Sequence, residues 1–169
     1  MVHTMHIYLL RHGIAEDAGP GMRDRDRALT EEGWKRLRKA AHAWQRICEL
    51  PEVVLVSPLR RAHETASVFC EALPGHGTLR TEAALVPEAD VLVAARLLET
   101  EQLAGTRSIV MIGHEPHLGY LLGLMLTGHP RQPVPLKKGM LVGLETASAA
   151  SLHADLRFVL SQRAAAALA

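Results

Sequence analysis

Met5-His6-Ile7-Tyr8-Leu9-Leu10-Arg11-His12-Gly13 opens with an apolar run and stops abruptly on three residues of a different kind. The run, Met5 to Leu10, reads as a buried strand, and Arg11-His12-Gly13 as the loop leaving its end. The same change of character recurs twice. Val53 to Val56 breaks off at Ser57-Pro58, and the β-branched run Ser108 to Ile112 breaks off at Gly113-His114-Glu115-Pro116. The stretches between carry helical spacing, so strands and helices alternate over most of the chain. That alternation predicts an α/β fold: a three-layer α/β/α sandwich built on a largely parallel mixed sheet, one domain over residues 1–169. In such sheets ligands sit beyond the carboxyl ends of the strands, which directs the residues after Leu10, Val56 and Ile112 toward one crevice.

Outward from these strands, Glu16 to Arg27 is a polar loop with Gly19-Pro20-Gly21 and the alternating charges Arg23-Asp24-Arg25-Asp26-Arg27, without periodicity. Thr30 is placed to cap a helix, with Glu31 and Glu32 in the first turn where the helix dipole favours acids. Leu37, Ala40, Ala41, Trp44, Ile47 and Cys48 form its apolar stripe, and Pro51 marks its end. Ser57-Pro58 reads as an N-cap with proline at the first helical position. The second helix then runs to about Leu73, presenting Leu59, Ala62, Ala66, Phe69, Cys70 and Leu73. A weaker strand around Leu79 to Leu85 leads to a third helix near Asp90 to Leu103, and Pro116 opens a fourth, through about Leu126. Thr127 to Gly139 is a proline-rich surface crossing, and Met140 to Leu144 and Leu156 to Leu160 are final strands that close or edge the sheet. The alanine-rich run from Ala164 is readable as helix or as frayed chain.

Composition narrows the function. The chain has 169 residues and 18.4 kDa, with 19 basic against 18 acidic residues, a net charge of +1 that offers no bulk field to nucleic acid or an anionic membrane. Aromatics are 4% of residues, too few for a stacking platform on single strands. Cys48 and Cys70 are expected to be reduced core thiols rather than a disulfide framework. The opening residues show neither a basic leader nor an apolar run long enough for a signal peptide or a span, so a cytoplasmic location is expected. Of the basic residues 15 are Arg and 4 are Lys. The bias suits phosphate or carboxylate recognition by the guanidinium fork, and GC-rich codon usage accounts for it equally well.

The three strand ends deliver Arg11, His12, Gly13, Ser57, Arg60, Arg61 and His114 to one place. Arg60 and Arg61 lie in the first turn of a helix, where the dipole penalises cations by about 0.3–1 kcal/mol. A bound anion reverses that preference, and helix amides with guanidinium groups form a phosphate site. The plainer reading has both arginines facing solvent. His117 stands three residues after His114, but Pro116 interrupts the helical spacing of a zinc motif and no third ligand accompanies them, so no metal and no cofactor are expected. His3 and His6 are expected to have no catalytic part.

Leu-Leu-Arg-His-Gly at 9–13, Arg-Ala-Leu-Thr at 27–30, Ser-Pro-Leu-Arg-Arg-Ala at 57–62 and Gly-His-Glu-Pro at 113–116, in that order, resemble the histidine phosphatase (phosphoglycerate mutase-like) superfamily. The short length and Leu-Thr-Glu-Glu-Gly at 29–33 look most like its SixA-type phosphohistidine phosphatase branch. The resemblance covers about Met5 to Gly128 well and the remainder loosely. It implies that His12 is the nucleophile, forming a covalent phosphohistidine, that Arg11 and Arg61 clamp phosphoryl oxygens, that His114 completes the pocket, and that Arg27, Gly13 and Ser57 contribute to substrate binding. Physics is consistent with these roles: neighbouring guanidinium groups favour neutral, nucleophilic imidazole and stabilise charge on the oxygens in flight. Arg23 and Arg25 compete with Arg27 on charge alone, and the whole run reads equally as a solvated loop. Arg60 is left out, because the family pattern places its arginine beside the following alanine.

The leaving group separates the candidate substrates. An alkoxide, the base of an acid of pKa about 15.7, normally needs a proton from the enzyme, whereas imidazole, with a reference pKa of about 6.5, departs with little help. Ester-cleaving branches usually place a glutamate after the second motif; here Pro87 occupies the expected position in Leu85-Val86-Pro87-Glu88-Ala89-Asp90, leaving Glu88 as a possible acid with an ordinary helix-start reading beside it. The expectation is a metal-independent phosphatase acting on phosphohistidine in a protein, such as a phosphotransfer domain of a signalling system or a phosphocarrier. The alternatives are a phosphatase of a small phosphoester and a phosphate-binding module without turnover; a mutase fits less well, because it needs a lidded pocket.

Overall fold

The computed structural model describes residues 4–146 and 151–168. Its elements are β1 (Met5–Arg11), α1 (Glu31–Ile47), β2 (Val53–Val56), α2 (Arg60–Ala72), β3 (Thr78–Thr81), α3 (Val91–Leu103), β4 (Ser108–Gly113), α4 (His117–Thr127), β5 (Leu141–Thr146), β6 (Ala154–Leu160) and α5 (Gln162–Ala167). One six-stranded sheet has the order β3-β2-β4-β1-β5-β6. The first four strands are mutually parallel and β5 and β6 add an antiparallel edge, so the predicted mixed α/β sheet is the observed one.

The alternation of side chains along each strand builds two cores. Tyr8, Leu10, Val54, Val56, Val110 and Ile112 face one way, onto Leu37 and Trp44 of α1 and Phe69 of α2. Ile7, Leu9, Val53, Leu55, Ile109 and Met111 face the other way, onto Leu98 of α3 and Leu118 and Leu121 of α4. With both faces covered, the central strands read as continuous apolar runs rather than as alternating ones. The register pairs Arg11 with Gly113 and Val56 with Ile112, so β1, β4 and β2 end at one level.

Several local expectations shift. Thr30 caps α1 as read, its hydroxyl accepting from Gly33 N at 3.0 Å. Ser57 is not a cap: α2 begins at Arg60, Leu59 occupies the cap position without a side-chain bond, and Pro58 lies outside the helix. The strand expected over 79–85 stops at Thr81, and Ala83–Leu85 forms a 3-10 turn whose Leu85 is buried against the α3–α4 side. A second 3-10 turn, Asp24–Asp26, interrupts the charged loop. Ile47 is 38% exposed rather than in the stripe. Cys48 lies one residue past α1, partly buried, and both thiols are free; burial pushes Cys48 up to about 12 and Cys70 up to about 11, which keeps them unreactive. Ala164 to Ala167 of the alanine-rich run belong to α5, capped by Ser161. His3 lies outside the described residues.

Candidate active site

The three strand ends meet. His12 is 5% exposed and follows β1 directly; its Nδ1 lies 2.7 Å from the carbonyl of Gly13, and its Nε2 lies 3.3 Å from Nε of Arg61. A carbonyl only accepts and a guanidinium only donates, so both contacts fit a single tautomer: proton on Nδ1, lone pair on Nε2. Burial, and then the charges of Arg61, Arg11 and Lys138, overcome the opposing Gly13 bond and lower His12 to about 3. At neutral pH its Nε2 is an unprotonated nucleophile facing a cation.

His114 ends the β4 side of the crevice, with its ring centroid 5.0 Å from that of His12. Its Nε2 bonds Ser57 Oγ at 2.7 Å, while Nδ1 is buried without a protein partner. Burial first, and then the neighbouring His12 and Arg61, push His114 well below the ordinary histidine range. In the tautomer in which Nε2 accepts from Ser57, Nδ1 carries the proton. Ser57 therefore acts on the neighbouring ring, which explains its absence from the cap of α2.

Arg61, 4% exposed, is held through Asp24, which the sequence reading did not single out. Its Nη2 lies 3.0 Å from Asp24 Oδ2, and its Nη1 donates to the Asp24 carbonyl at 2.8 Å. Arg27 reaches the other oxygen of the same carboxylate at 2.8 Å and donates from Nε to the Glu16 carbonyl at 2.5 Å, so it joins the site through Asp24. Burial works to raise the Asp24 carboxyl, but hydrogen bonds from Arg27 and Arg61 hold it below the usual range. Arg23 pairs with Asp26, and Arg60 with Glu64, both at exposed arginines.

Arg11 donates from Nη1 to the Leu136 carbonyl at 2.6 Å, while its Nε is buried without a partner. Glu115 braces this arrangement by accepting from Leu136 N at 2.7 Å and from Gln132 Nε2. Gly139 N reaches the carbonyls of Arg11 and His12 at 3.1 and 3.0 Å, tying the 136–139 loop to the nucleophile. Gly13 has its own constraints: its amide donates to Thr65 Oγ1 at 3.1 Å, and a Cβ there would stand 2.6 Å from Leu37 Cδ1. Its backbone is thus committed to holding His12.

Glu88 is exposed in the turn before α3, and no hydrogen bond or ion pair among the described residues links it to His12, Arg61 or His114. No three His, Cys, Asp or Glu side chains among the described residues are grouped as a metal site would need. No helix among them is long and apolar enough to cross a membrane. The residues the sequence reading missed, Asp24, Thr65 and Glu115 as a brace, act through contacts distant in sequence. Only Asp24 left a trace, in its spacing three residues before Arg27.

Comparison with known proteins points the same way. The model of the histidine phosphatase superfamily (branch 1) matches residues 7–86. Phosphohistidine phosphatase SixA of Escherichia coli K12 is 32% identical over 127 residues, 73% of this chain and 76% of that one. An uncharacterized protein of Picosynechococcus is 32% identical over 145 residues, 86% of this chain and 87% of that one. The solved structure of the protein histidine phosphatase SixA complexed with tungstate superimposes with a TM-score of 0.83 at 26% identity, covering 94% of this chain and 98% of that one.

Proposed function

The chain belongs to the histidine phosphatase superfamily, in its SixA-type branch, and on that premise we propose that this phosphatase acts on phosphohistidine carried by a protein. The observation that carries the substrate is where the carboxylates stand. Asp24 is held by Arg61 and Arg27, Glu115 by Leu136 and Gln132, and Glu88 faces solvent. An alkoxide needs a proton as it leaves; Glu88 and Glu115 make no contact with His12 or Arg61, and Asp24, held ionised by its two arginines, has no proton to give. A substrate imidazole already protonated on its free nitrogen leaves as the neutral ring, conjugate to an acid of pKa about 6.5.

In the first step the Nε2 lone pair of His12 attacks phosphorus, the P–N bond to the substrate ring breaks, and its electron pair stays on the departing imidazole. The charges of Arg61 and Arg11, with His114 beside them, stabilise the charge that develops on the equatorial oxygens. Water then attacks the phosphorylated His12, the P–Nε2 bond breaks, and inorganic phosphate forms. The nucleophile is neutral before the first step and returns neutral after the second, with the water's protons leaving on phosphate and to solvent. Tungstate in the SixA structure is a tetrahedral oxyanion of the kind this pocket would hold.

The test is phosphate release, without added metal, from a histidine-phosphorylated carrier domain and from a panel of small phosphoesters, each beside His12→Ala. Release from the carrier alone, abolished in the variant together with any trapped phosphoenzyme, is the expected result. Preference for an ester would replace the substrate. An alanine variant that still labels at the same stoichiometry would remove His12 from the chemistry.

A further inference from the structure

A groove of about 940 Å³ opens beside Arg11, between the amino-terminal half of α1, the loop before β5 and α5. Thirteen residues line it, and they include every lysine of the chain: Lys35, Lys39, Lys137 and Lys138. In a chain that otherwise uses arginine for its basic residues, a codon bias spread over the whole sequence does not gather all four lysines in one place. Their chemistry differs from that of the arginines as well. Eight arginines are paired with carboxylates, whereas among the described residues no lysine is within an ion-pair distance of an acid. Arg36 and Arg163 add to the same wall, and the only acid on it among the described residues, Glu32, is already bound to Arg36 at 2.6 Å.

The groove adjoins the catalytic cluster through Arg11, and the charge of Lys138 on its wall reaches His12. Lys137 and Lys138 sit between Leu136, whose carbonyl holds Arg11, and Gly139, whose amide holds the Arg11 and His12 carbonyls. Ile14, two residues past His12, lies in the lining, and with Ala166 and Ala167 it supplies apolar surface between the cations. Unpaired cations around a strip of small apolar side chains match a protein surface that is acidic at its margins and apolar along its centre. Ammonium groups on flexible stems suit this better than guanidinium forks, because they attract charge without imposing bidentate geometry. We infer that this groove docks an acidic, partly apolar face of the phosphoprotein and presents its phosphohistidine to His12. The inference rests on the phosphohistidine reading and names the surface by which that substrate is recognised.

The experiment compares the intact protein with Lys35→Glu/Lys39→Glu, two exposed positions on α1 outside the catalytic cluster. Each is assayed on a histidine-phosphorylated phosphotransfer domain with acidic residues around its phosphohistidine, and on free phosphohistidine. With the domain, kcat/KM is expected to fall about tenfold or more, through KM, and the salt dependence of the parent enzyme is expected to flatten. With free phosphohistidine kcat/KM is expected to stay the same. Equal activity of both proteins on the domain overturns the docking site while leaving the substrate class standing. An equal loss on both substrates also overturns it, because the lysines would then serve the pocket itself. If the parent protein releases nothing from any phosphohistidine but hydrolyses esters, the substrate reading fails and the docking inference falls with it. Competition by duplex DNA but not by an acidic protein face would give the groove a different occupant and overturn the inference as well.

Discussion

At the scale of single residues, Asp24 occupies Arg61 in the way a phosphoryl group would. Its carboxylate lies 3.0 Å from one guanidinium nitrogen of Arg61 and 2.8 Å from one of Arg27, while Nε of Arg61 faces His12. An incoming phosphate therefore meets a resident anion sharing its cation, and the two repel. Asp24→Asn keeps the bond from Arg61 Nη1 to the backbone carbonyl of residue 24, so the arginine stays anchored while the competing charge is removed. Inorganic phosphate should then bind about three- to tenfold more tightly, read as a lower inhibition constant or by calorimetry. Weaker phosphate binding in the variant would show that Asp24 serves to aim Arg61 instead. Sequence could propose His12 and His114 because each directly follows a strand end, and Arg61 through its place beside Ala62 in the motif after β2. It could not propose Asp24, whose importance arises from a contact with Arg61, 37 residues away.

At the scale of elements, the legible features were those with local causes. Thr30 and the two acids behind it marked the start of α1, and the apolar runs marked β1, β2 and β4. Ser57-Pro58 misled for a non-local reason: the hydroxyl that suits a cap bonds instead to His114, and the helix starts later. His117 illustrates another non-local outcome. It is the first residue of α4 and 1% exposed, both its ring nitrogens are buried without a partner, and burial lowers its pKa. An unsatisfied buried polar group costs about 1–3 kcal/mol, and a leucine of similar bulk carries no such cost. His117→Leu should therefore raise the unfolding free energy by about 1 kcal/mol, measured by urea denaturation, with His12 labelling unchanged. A destabilised variant would mean that the ring nitrogens are satisfied by water or by a ligand.

At the scale of the whole molecule, three buried histidines make stability depend on pH. His12, lowered to about 3, and His114 and His117, also lowered, remain neutral in the folded protein, while in the unfolded chain each protonates near 6.5. Below about pH 6.5 the unfolded state binds protons that the folded state refuses, so unfolding becomes more favourable as the pH falls. The stabilisation is fully present above about 6.5 and is lost progressively toward the folded-state values. Asp24, held low by its arginines, acts in the same direction only below the ordinary carboxylate range. Glu115, raised by burial, has the opposite sign, its contribution being present below its unfolded value and lost as the pH rises through the folded one. The histidine contribution dominates between about pH 6.5 and 4.5, where the midpoint of thermal unfolding should fall by several degrees per pH unit in phosphate-free buffer. His117→Leu should shallow that slope, because one of the three proton-refusing sites is gone. Adding phosphate should restore part of the lost stability, since an anion between Arg61 and the two active-site rings favours their protonated forms and binds the folded state alone. A midpoint that stays level from pH 7 to 5 would show that these rings already titrate in the folded protein, and the neutral His12 on which the nucleophilic step depends would have to be abandoned.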